Sequence, residues 1–225
     1  QNSSRTSFYR KYLFNIDKWS CSETTLEKGK KKSDFDHSAV LDRFKHQLEK
    51  SNVKTKYCLI PDFSWAVIDV NKIINKYFNK KFILIFPFSS PQLPHKQWPY
   101  YNDLIKIIRL KHQNFEIVVA PGHKEIIDAS KIDAISILNN GNVLNIMELA
   151  GLIKKSSFVI ANDTGPAHMA AHLGQKGIVL FGYHTTAKKV SIERKEFKAI
   201  EVKNLKDLTA QEVYLKLRDK IESIN

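Results

Sequence analysis

From Lys81 onward, short unbroken apolar runs alternate with segments whose apolar residues recur every three or four positions. The runs are KFILIFPF (81–88), FEIVVAPG (115–122), AISIL (134–138), FVIAND (158–163), GIVLFG (177–182) and KAIEV (198–202). A continuous apolar run of this length suits a strand buried on both faces, the usual state in a parallel sheet. Helical spacing follows each of the first four runs and closes the chain: YYNDLIKIIRLKH (100–112), HKEIIDASK (123–131), NIMELAGLIKK (145–155), AHMAAHLG (167–174) and LTAQEVYLKLRDKIES (208–223). Gly174 is placed to stop the fourth helix. Six strands alternating with helices predict a doubly wound, parallel α/β sheet, in which ligands sit beyond the carboxyl ends of the strands.

Upstream of Lys81 the pattern is weaker. Residues 1–35 read as a helix fragment followed by a polar loop. Asp36 could cap a helix over 37–51, with Ala39, Val40, Leu41, Phe44 and Leu48 as its apolar stripe. Tyr57 to Ile60 reads as a short strand, Pro61-Asp62 as a turn, and the stretch into Asn79 as helical. The expected division is therefore a partial lobe and linker over 1–80 and one α/β domain over 81–225.

Composition narrows the classes. The chain has 225 residues, 43% of them hydrophobic, with only 7 Pro and 8 Gly. It can bury a sizeable core, which excludes wholesale disorder and collagen-like repeats. No apolar run approaches the roughly 18–20 residues of a membrane-spanning helix. Cys21 and Cys58 form no CxxC, so neither a disulfide scaffold nor a cysteine-rich metal site is expected, and a reducing compartment fits. The first residue is Gln1, and QNSSRTSFYR lacks the apolar core of a signal peptide. The chain is expected to start part-way through a longer protein.

The net charge is +13. Residues 1–81 carry 17 basic against 9 acidic side chains, and the densest run is Lys28-Gly29-Lys30-Lys31-Lys32. Such a run attracts polyanions: nucleic acid, an anionic membrane surface or a phosphorylated glycolipid. A solvated, lysine-rich loop is the plainer alternative. Phe8, Tyr9, Tyr12, Phe14 and Trp19 form no recognisable RNA-binding signature, and no zinc-finger pattern appears, so nucleic acid is not the expected partner.

The most informative stretch is FVIANDTGPAHMAAHLG (158–174). A buried strand ends, Asn162-Asp163-Thr164-Gly165-Pro166 turns the chain, and a helix starts with Pro166 at a favourable first position. Free amides at that helix start form an anion site on the carboxyl edge of the sheet. Gly165 lets a ligand approach the backbone. Thr164 offers a hydroxyl and His168 an imidazole nitrogen, while Asp163 accepts hydrogen bonds and suits sugar hydroxyls. An ordinary strand-to-helix turn is the alternative. Two further strand ends lie on the same edge. Ser89 and Ser90 follow the first strand with Lys96 soon after. Pro121-Gly122 follow the second, with Glu125 placed to take a ribose diol. Taken singly, Lys96 could be a surface lysine and Glu125 a solvated acid. Together they describe a nucleotide-sugar pocket. Neither GxxxxGK[ST] nor GxGxxG occurs.

DTGPAHMAAHLGQKGIVLFG (163–182) resembles the signature of glycosyltransferase family 9, the heptosyltransferases of lipopolysaccharide inner-core synthesis in Gram-negative bacteria. FPFSSPQLPHKQWP (86–99) resembles that family's strand, Ser and K-x-W-P segment. VLNIMELAGLIKKSSFVIA (143–161) is similar to the helix and strand before its signature. QNSSRTSFYRKYLF (1–14), HQLEKSNV (46–53) and PDFSW (61–65) resemble parts of its acceptor-side lobe. The resemblance implies a GT-B fold, with a Rossmann-like donor domain over 81–225 and a partial Rossmann-like acceptor lobe before it. It also implies inverting, metal-independent transfer from an ADP-heptose-like donor to a lipid-linked oligosaccharide. No cofactor is implied. A cytoplasmic enzyme peripheral to the inner membrane would fit.

On the same resemblance, Thr164, Gly165, Pro166 and His168 would hold the diphosphate with Lys96, Ser89 and Ser90. Asp163 would meet sugar hydroxyls, Glu125 the ribose, the chain at Met147 the adenine, and Arg5 an acceptor phosphate. The family's general base is an Asp near the start of the acceptor lobe. This chain is expected to begin after it, so no catalytic residue is assigned. The sequence also departs from the family at Tyr183-His184-Thr185-Thr186, where PTxP is usual, and at Lys176, where proline is common. Two other readings stay open: a non-catalytic nucleotide-sugar-binding module, and a basic polyanion-binding protein.

Overall fold

A computed structural model describes residues 4–14, 19–21, 25–31, 33–34 and 37–224. Its contacts divide the chain into two compact units. The first is Gln1–Pro61 with Lys188–Ser191, and the second is Asp62–Ala187 with Ile192–Asn225.

In the first unit, α1 (Ser4–Phe8) runs into a π-helical turn at Tyr9–Leu13, and α2 spans Val40–Lys50. The predicted helix over 37–51 is thus present, entered from Ala39 in extended conformation. Its predicted cap, Asp36, lies outside the described residues. Lys28, Lys30 and Lys31 are exposed, and Lys32 also lies outside the described residues. The strand expected at Tyr57 to Ile60 is a series of turns instead: Cys58 N–H donates to Thr55 O, and Ile60 N–H to Tyr57 O. A strand needs a neighbour to pair with, and this run buries little, with Tyr57 and Ile60 both exposed. Among the described residues of this unit there is no strand.

The second unit begins with irregular chain rather than the long helical stretch expected up to Asn79. It contains a 3₁₀ turn at Ser64–Ala66 and a single turn of helix, α3 (Asn71–Ile74). Asp62 and Asp69 explain the interruptions. Each carboxylate accepts a backbone N–H two residues on, from Ser64 and Asn71 respectively, closing local turns that compete with helix.

The sheet follows: β1 (Lys81–Phe86), β2 (Phe115–Val119), β3 (Ile135–Ser136), β4 (Phe158–Asn162), β5 (Gly177–Phe181) and β6 (Phe197–Glu201). All neighbours are parallel, in the order β3-β2-β1-β4-β5-β6. The helices between and after them in sequence are α4 (Tyr101–Lys111), α5 (Ile126–Ala129), α6 (Ile146–Lys155), α7 (Gly165–His172), α8 (Ala187–Val190, all but its first residue in the first unit) and α9 (Ala210–Glu222). On one face, Ile83, Ile85, Ile117, Phe158 and Ile160 pack with Leu104 and Ile108 of α4 and Val213 and Leu217 of α9. α6 and α7 pack together, and α7 packs on β4 and β5. Coverage on both faces is why these strands read as unbroken apolar runs rather than alternating ones.

Strand order reverses between β1 and β4. The chain winds outward to β3 on one side, then returns past β1 to build β4, β5 and β6 on the other. That switch opens a crevice beyond the carboxyl ends of β1 and β4, where doubly wound sheets hold ligands. One close approach fixes the chain that enters the unit. A Cβ added at Gly151, in α6, would collide with the Ile68 carbonyl and come within 2.9 Å of Val70 Cγ1. Backbone cannot yield there as a flexible side-chain end would. Gly151→Ala is therefore expected to destabilise the protein by about 2–3 kcal/mol, read as a lower midpoint in denaturant.

Candidate functional site

A cavity of about 430 Å³ lies in this crevice. Three strand ends build it: Phe86, Phe88, Ser89 and Ser90 at and after the end of β1, Ala120 to Gly122 with Glu125 after β2, and Asp163 to Pro166 after β4. Lys96 and Leu93 come from the loop after β1, and Leu144 and Leu149 from around the start of α6.

The β4 end is organised by a buried polar side chain. Asn162 is fully buried. Its amide donates to Pro87 O at 2.7 Å, and its carbonyl oxygen accepts from Trp98 N–H at 3.2 Å and Tyr101 hydroxyl at 3.3 Å. It thereby ties the end of β4 to the chain leaving β1. Trp98 is itself buried and donates its indole N–H to Leu208 O at 2.7 Å. Thr164 turns its hydroxyl back to Asn162 O and makes no side-chain cap on α7. Ala167 and His168 N–H donate to Thr164 O at 3.1 and 3.3 Å and Pro166 has no N–H, so the Gly165 amide, with that of Thr164 before it, is the one that faces outward at the positive end of the helix. Gly165 faces open space where a side chain would stand.

Asp163 is the electrostatic centre. Its side chain is only 6% exposed, and its Oδ2 accepts from Lys96 Nζ at 2.7 Å and His184 Nε2 at 3.2 Å. His168 Nε2 lies 3.6 Å from Oδ1. Burial alone would raise the Asp163 carboxyl, but the bonds from His168, Lys96 and His184 outweigh it and hold it well below the ordinary carboxylate range. Asp163 is ionised and engaged by side chains of the protein itself. Lys96 has one ammonium hydrogen on Asp163 and lines the cavity with the rest of its head.

At the far end, Glu125 Oε2 accepts the Gly122 N–H at 2.8 Å. One carboxylate oxygen is pinned to the turn after β2, and Glu125 lines the cavity. Ser89 is buried, its hydroxyl donating to Leu93 O at 3.0 Å, and Ser90 bonds to Gln92. These two hydroxyls are committed within the loop.

Of the residues singled out from sequence, Ser89, Ser90, Lys96, Glu125, Asp163, Thr164, Gly165 and Pro166 line this one cavity. His168 stands behind it, against Asp163. Met147 does not line it. Its N–H is taken by the Asn145 cap at 2.9 Å, and its side chain is exposed at the start of α6. Leu144 and Leu149 occupy the corresponding wall. Arg5 is exposed on α1, in the first unit. The sequence reading missed Asn162 and His184. Each has a signal: a polar side chain at or just past the carboxyl end of an apolar strand, where burial demands a partner.

One more imidazole on α7 is perturbed. His172 Nδ1 accepts from Arg194 Nη2 at 3.1 Å. Burial, then the charges of Arg194 and His168, lower its pKa from 6.5 to about 4. Between those values the unfolded chain binds a proton that the folded chain refuses. Stability is therefore full above about pH 6.5 and falls as pH drops toward 4. The midpoint of thermal unfolding should be lower at pH 5 than at pH 7, and His172→Gln should shrink that difference.

Fold and cavity define a doubly wound α/β unit with a cavity at the carboxyl edge of its sheet, against a helix start. The sequence profile of Glycosyltransferase family 9 (heptosyltransferase) matches residues 22–217, and the chain belongs to that family. It is 31% identical over 112 residues to the lipopolysaccharide core heptosyltransferase OpsX of Haemophilus influenzae, an alignment covering 48% of this chain and 32% of that protein. The chain thus spans about a third of the curated relative it matches.

Solved structures share the fold, which is of GT-B type. The glycosyltransferase family 9 protein of Veillonella parvula matches with a TM-score of 0.65 at 13% identity, covering 83% of this chain and 61% of that one. E. coli heptosyltransferase WaaC with ADP-2-deoxy-2-fluoro heptose matches with a TM-score of 0.56 at 16% identity, covering 79% and 54%. E. coli ADP-heptose heptosyltransferase II gives 0.56 at 17% identity, covering 66% and 49%. Among the described residues, no helix is long and apolar enough to cross a membrane.

Proposed function

We propose that the second unit is the donor-binding half of an inverting heptosyltransferase that uses a nucleoside-diphosphate heptose. The observation that carries this reading is the cavity itself. It sets an anion-binding helix start and a lysine at one end and a pinned carboxylate at the other, with an apolar wall at Leu144 and Leu149. Its size suits a ligand of nucleotide class. In this reading the diphosphate lies on the α7 amides at Thr164 and Gly165, beside Lys96. Glu125 takes the ribose diol, and the base lies against the apolar wall. ADP is the favoured nucleotide, because a family relative was solved with an ADP-heptose analogue.

In the proposed transfer, an acceptor hydroxyl oxygen bonds to the anomeric carbon from the face opposite the diphosphate. The bond from that carbon to the β-phosphate oxygen breaks, and its electron pair leaves on the diphosphate. The Lys96 ammonium and the helix amides stabilise the charge that builds there, in the place a metal ion would otherwise fill. The acceptor's proton passes to a base that is left unassigned among the described residues. The acceptor proposed is a lipid-linked core oligosaccharide, met at the cytoplasmic face of the inner membrane. That setting suits the net charge of +13.

Calorimetric titration tests the reading. ADP and ADP-heptose should bind, GDP and UDP should bind at least tenfold more weakly, and Lys96→Ala should weaken ADP about 100-fold, with its fold intact. A folded protein that binds none of these, yet binds polyanions in a salt-dependent way, would replace this reading with the polyanion one. Binding of the donor with no transfer to any lipid-linked acceptor would favour a non-catalytic module.

A further inference from the structure

We propose that His184 is a positioning residue for the anion site: it holds the Asp163 carboxylate so that Lys96 is free to turn from it to a bound diphosphate. The inference rests on reading the cavity as a nucleoside-diphosphate site.

The geometry makes two members of the trio fixed and one movable. Asp163 and His184 have side chains 6% exposed, while Lys96 is 21% exposed and lines the cavity. Lys96 Nζ and His184 Nε2 share a single oxygen, Asp163 Oδ2, at 2.7 and 3.2 Å. The His184 ring is held on two sides. Phe181 stacks on it at 6.0 Å and 26°, and His95 lies against it at 5.6 Å and 60°.

The ionised Asp163 carboxylate can only accept, so the ring carries a hydrogen on Nε2. Nδ1 is buried without a hydrogen-bond partner among the described residues. On an imidazolium, Nδ1 would carry an N–H with nowhere to donate, beside the Lys96 charge. The ring is therefore neutral, its hydrogen sits on Nε2, and it donates to Asp163. Burial also lowers its pKa, and Lys96 and His95 add to the lowering against the opposing pull of Asp163.

An ammonium cannot leave a buried carboxylate at little cost unless something else satisfies that carboxylate. The His184 N–H does so on the oxygen that Lys96 vacates. His168, 3.6 Å from Oδ1, supports the other oxygen. Without His184, Asp163 would depend on Lys96 and retain it, and an incoming anion would have to compete for the lysine.

The test is ADP affinity by calorimetry in a double-mutant cycle. His184→Phe keeps the ring and loses the donor, and it should weaken ADP about tenfold. His184→Leu, a second side chain without a donor, should do the same should the Phe variant fold poorly. His184→Gln, which can place an amide N–H near the Nε2 position, should stay within about threefold of wild type. In the Lys96→Ala background, His184→Phe should have no further effect, because the lysine through which it acts is gone. Unchanged ADP affinity in folded His184→Phe and His184→Leu would overturn the inference. So would an equal loss with and without Lys96, which would mark a merely structural role. Wild type that does not bind ADP would overturn the donor-site reading and this inference with it. Wild type that binds ADP with a flat cycle overturns only this one.

Discussion

Asp163→Ala is expected to destabilise the protein by about 3 kcal/mol, yet leave ADP bound at least as tightly as in wild type. Lys96→Ala should do the opposite. The asymmetry follows from where each side chain stands. Asp163 is 6% exposed and accepts from Lys96 and His184, with His168 close by. Its removal leaves a buried imidazole N–H without an acceptor and an ammonium without its counter-charge, the costly way to break a buried pair. Lys96 is 21% exposed and faces the cavity. Its removal leaves Asp163 with histidine donors and cavity water, so the stability loss should be near 1 kcal/mol.

Affinity runs the other way. In wild type, Asp163 offsets the positive charge an anion would meet. Deleting Asp163 unmasks that charge, and deleting Lys96 removes it. Denaturant unfolding and ADP titration on the two variants check both halves. Equal stability loss in the two, or loss of ADP in Asp163→Ala, would contradict this account.

Trp98→Ala should cost more stability than either, about 4 kcal/mol. The indole is buried in the main core and packs edge-on against Tyr101 at 5.0 Å. Truncating a buried tryptophan removes its transfer energy and leaves a cavity, usually 3–5 kcal/mol together. Here it also leaves Leu208 O without its indole donor. For a chain of this length that corresponds to a fall of roughly 10 °C in the unfolding midpoint. Trp98→Phe should lose about half as much. Because Trp98 N–H also bonds Asn162, and Lys96 lies two residues earlier, the same variant should loosen the Lys96 loop. ADP affinity should fall in Trp98→Ala while Gly151→Ala, placed on α6 away from that loop, should leave it near wild type.

The parts legible in the sequence are those fixed by local pattern. Unbroken apolar runs read as strands because both faces of the sheet are covered. NDTGPAH read as a strand-to-helix turn because an apolar strand runs into polar residues and Pro166 suits a first helical position. Glu125 was placed from its position after the second strand.

What escaped depends on tertiary pairing. Tyr57 to Ile60 has strand-like residues but no neighbouring strand, so it turns. Lys96 read as a free cation, since nothing local says that Asp163, 67 positions on, will receive it. Ser89 and Ser90 read as ligand donors, but their hydroxyls close their own loop. His184 appeared only as a departure from a motif. Its contact with Asp163 emerges only once β4 and β5 lie side by side.

The most direct test of the central claim is a crystal structure of this chain with ADP. The account predicts the diphosphate on the Thr164 and Gly165 amides, Lys96 Nζ turned from Asp163 toward it, the ribose on Glu125 and the base against Leu144 and Leu149. ADP bound elsewhere, with the cavity beyond β1 and β4 unfilled and Lys96 still on Asp163, would contradict it.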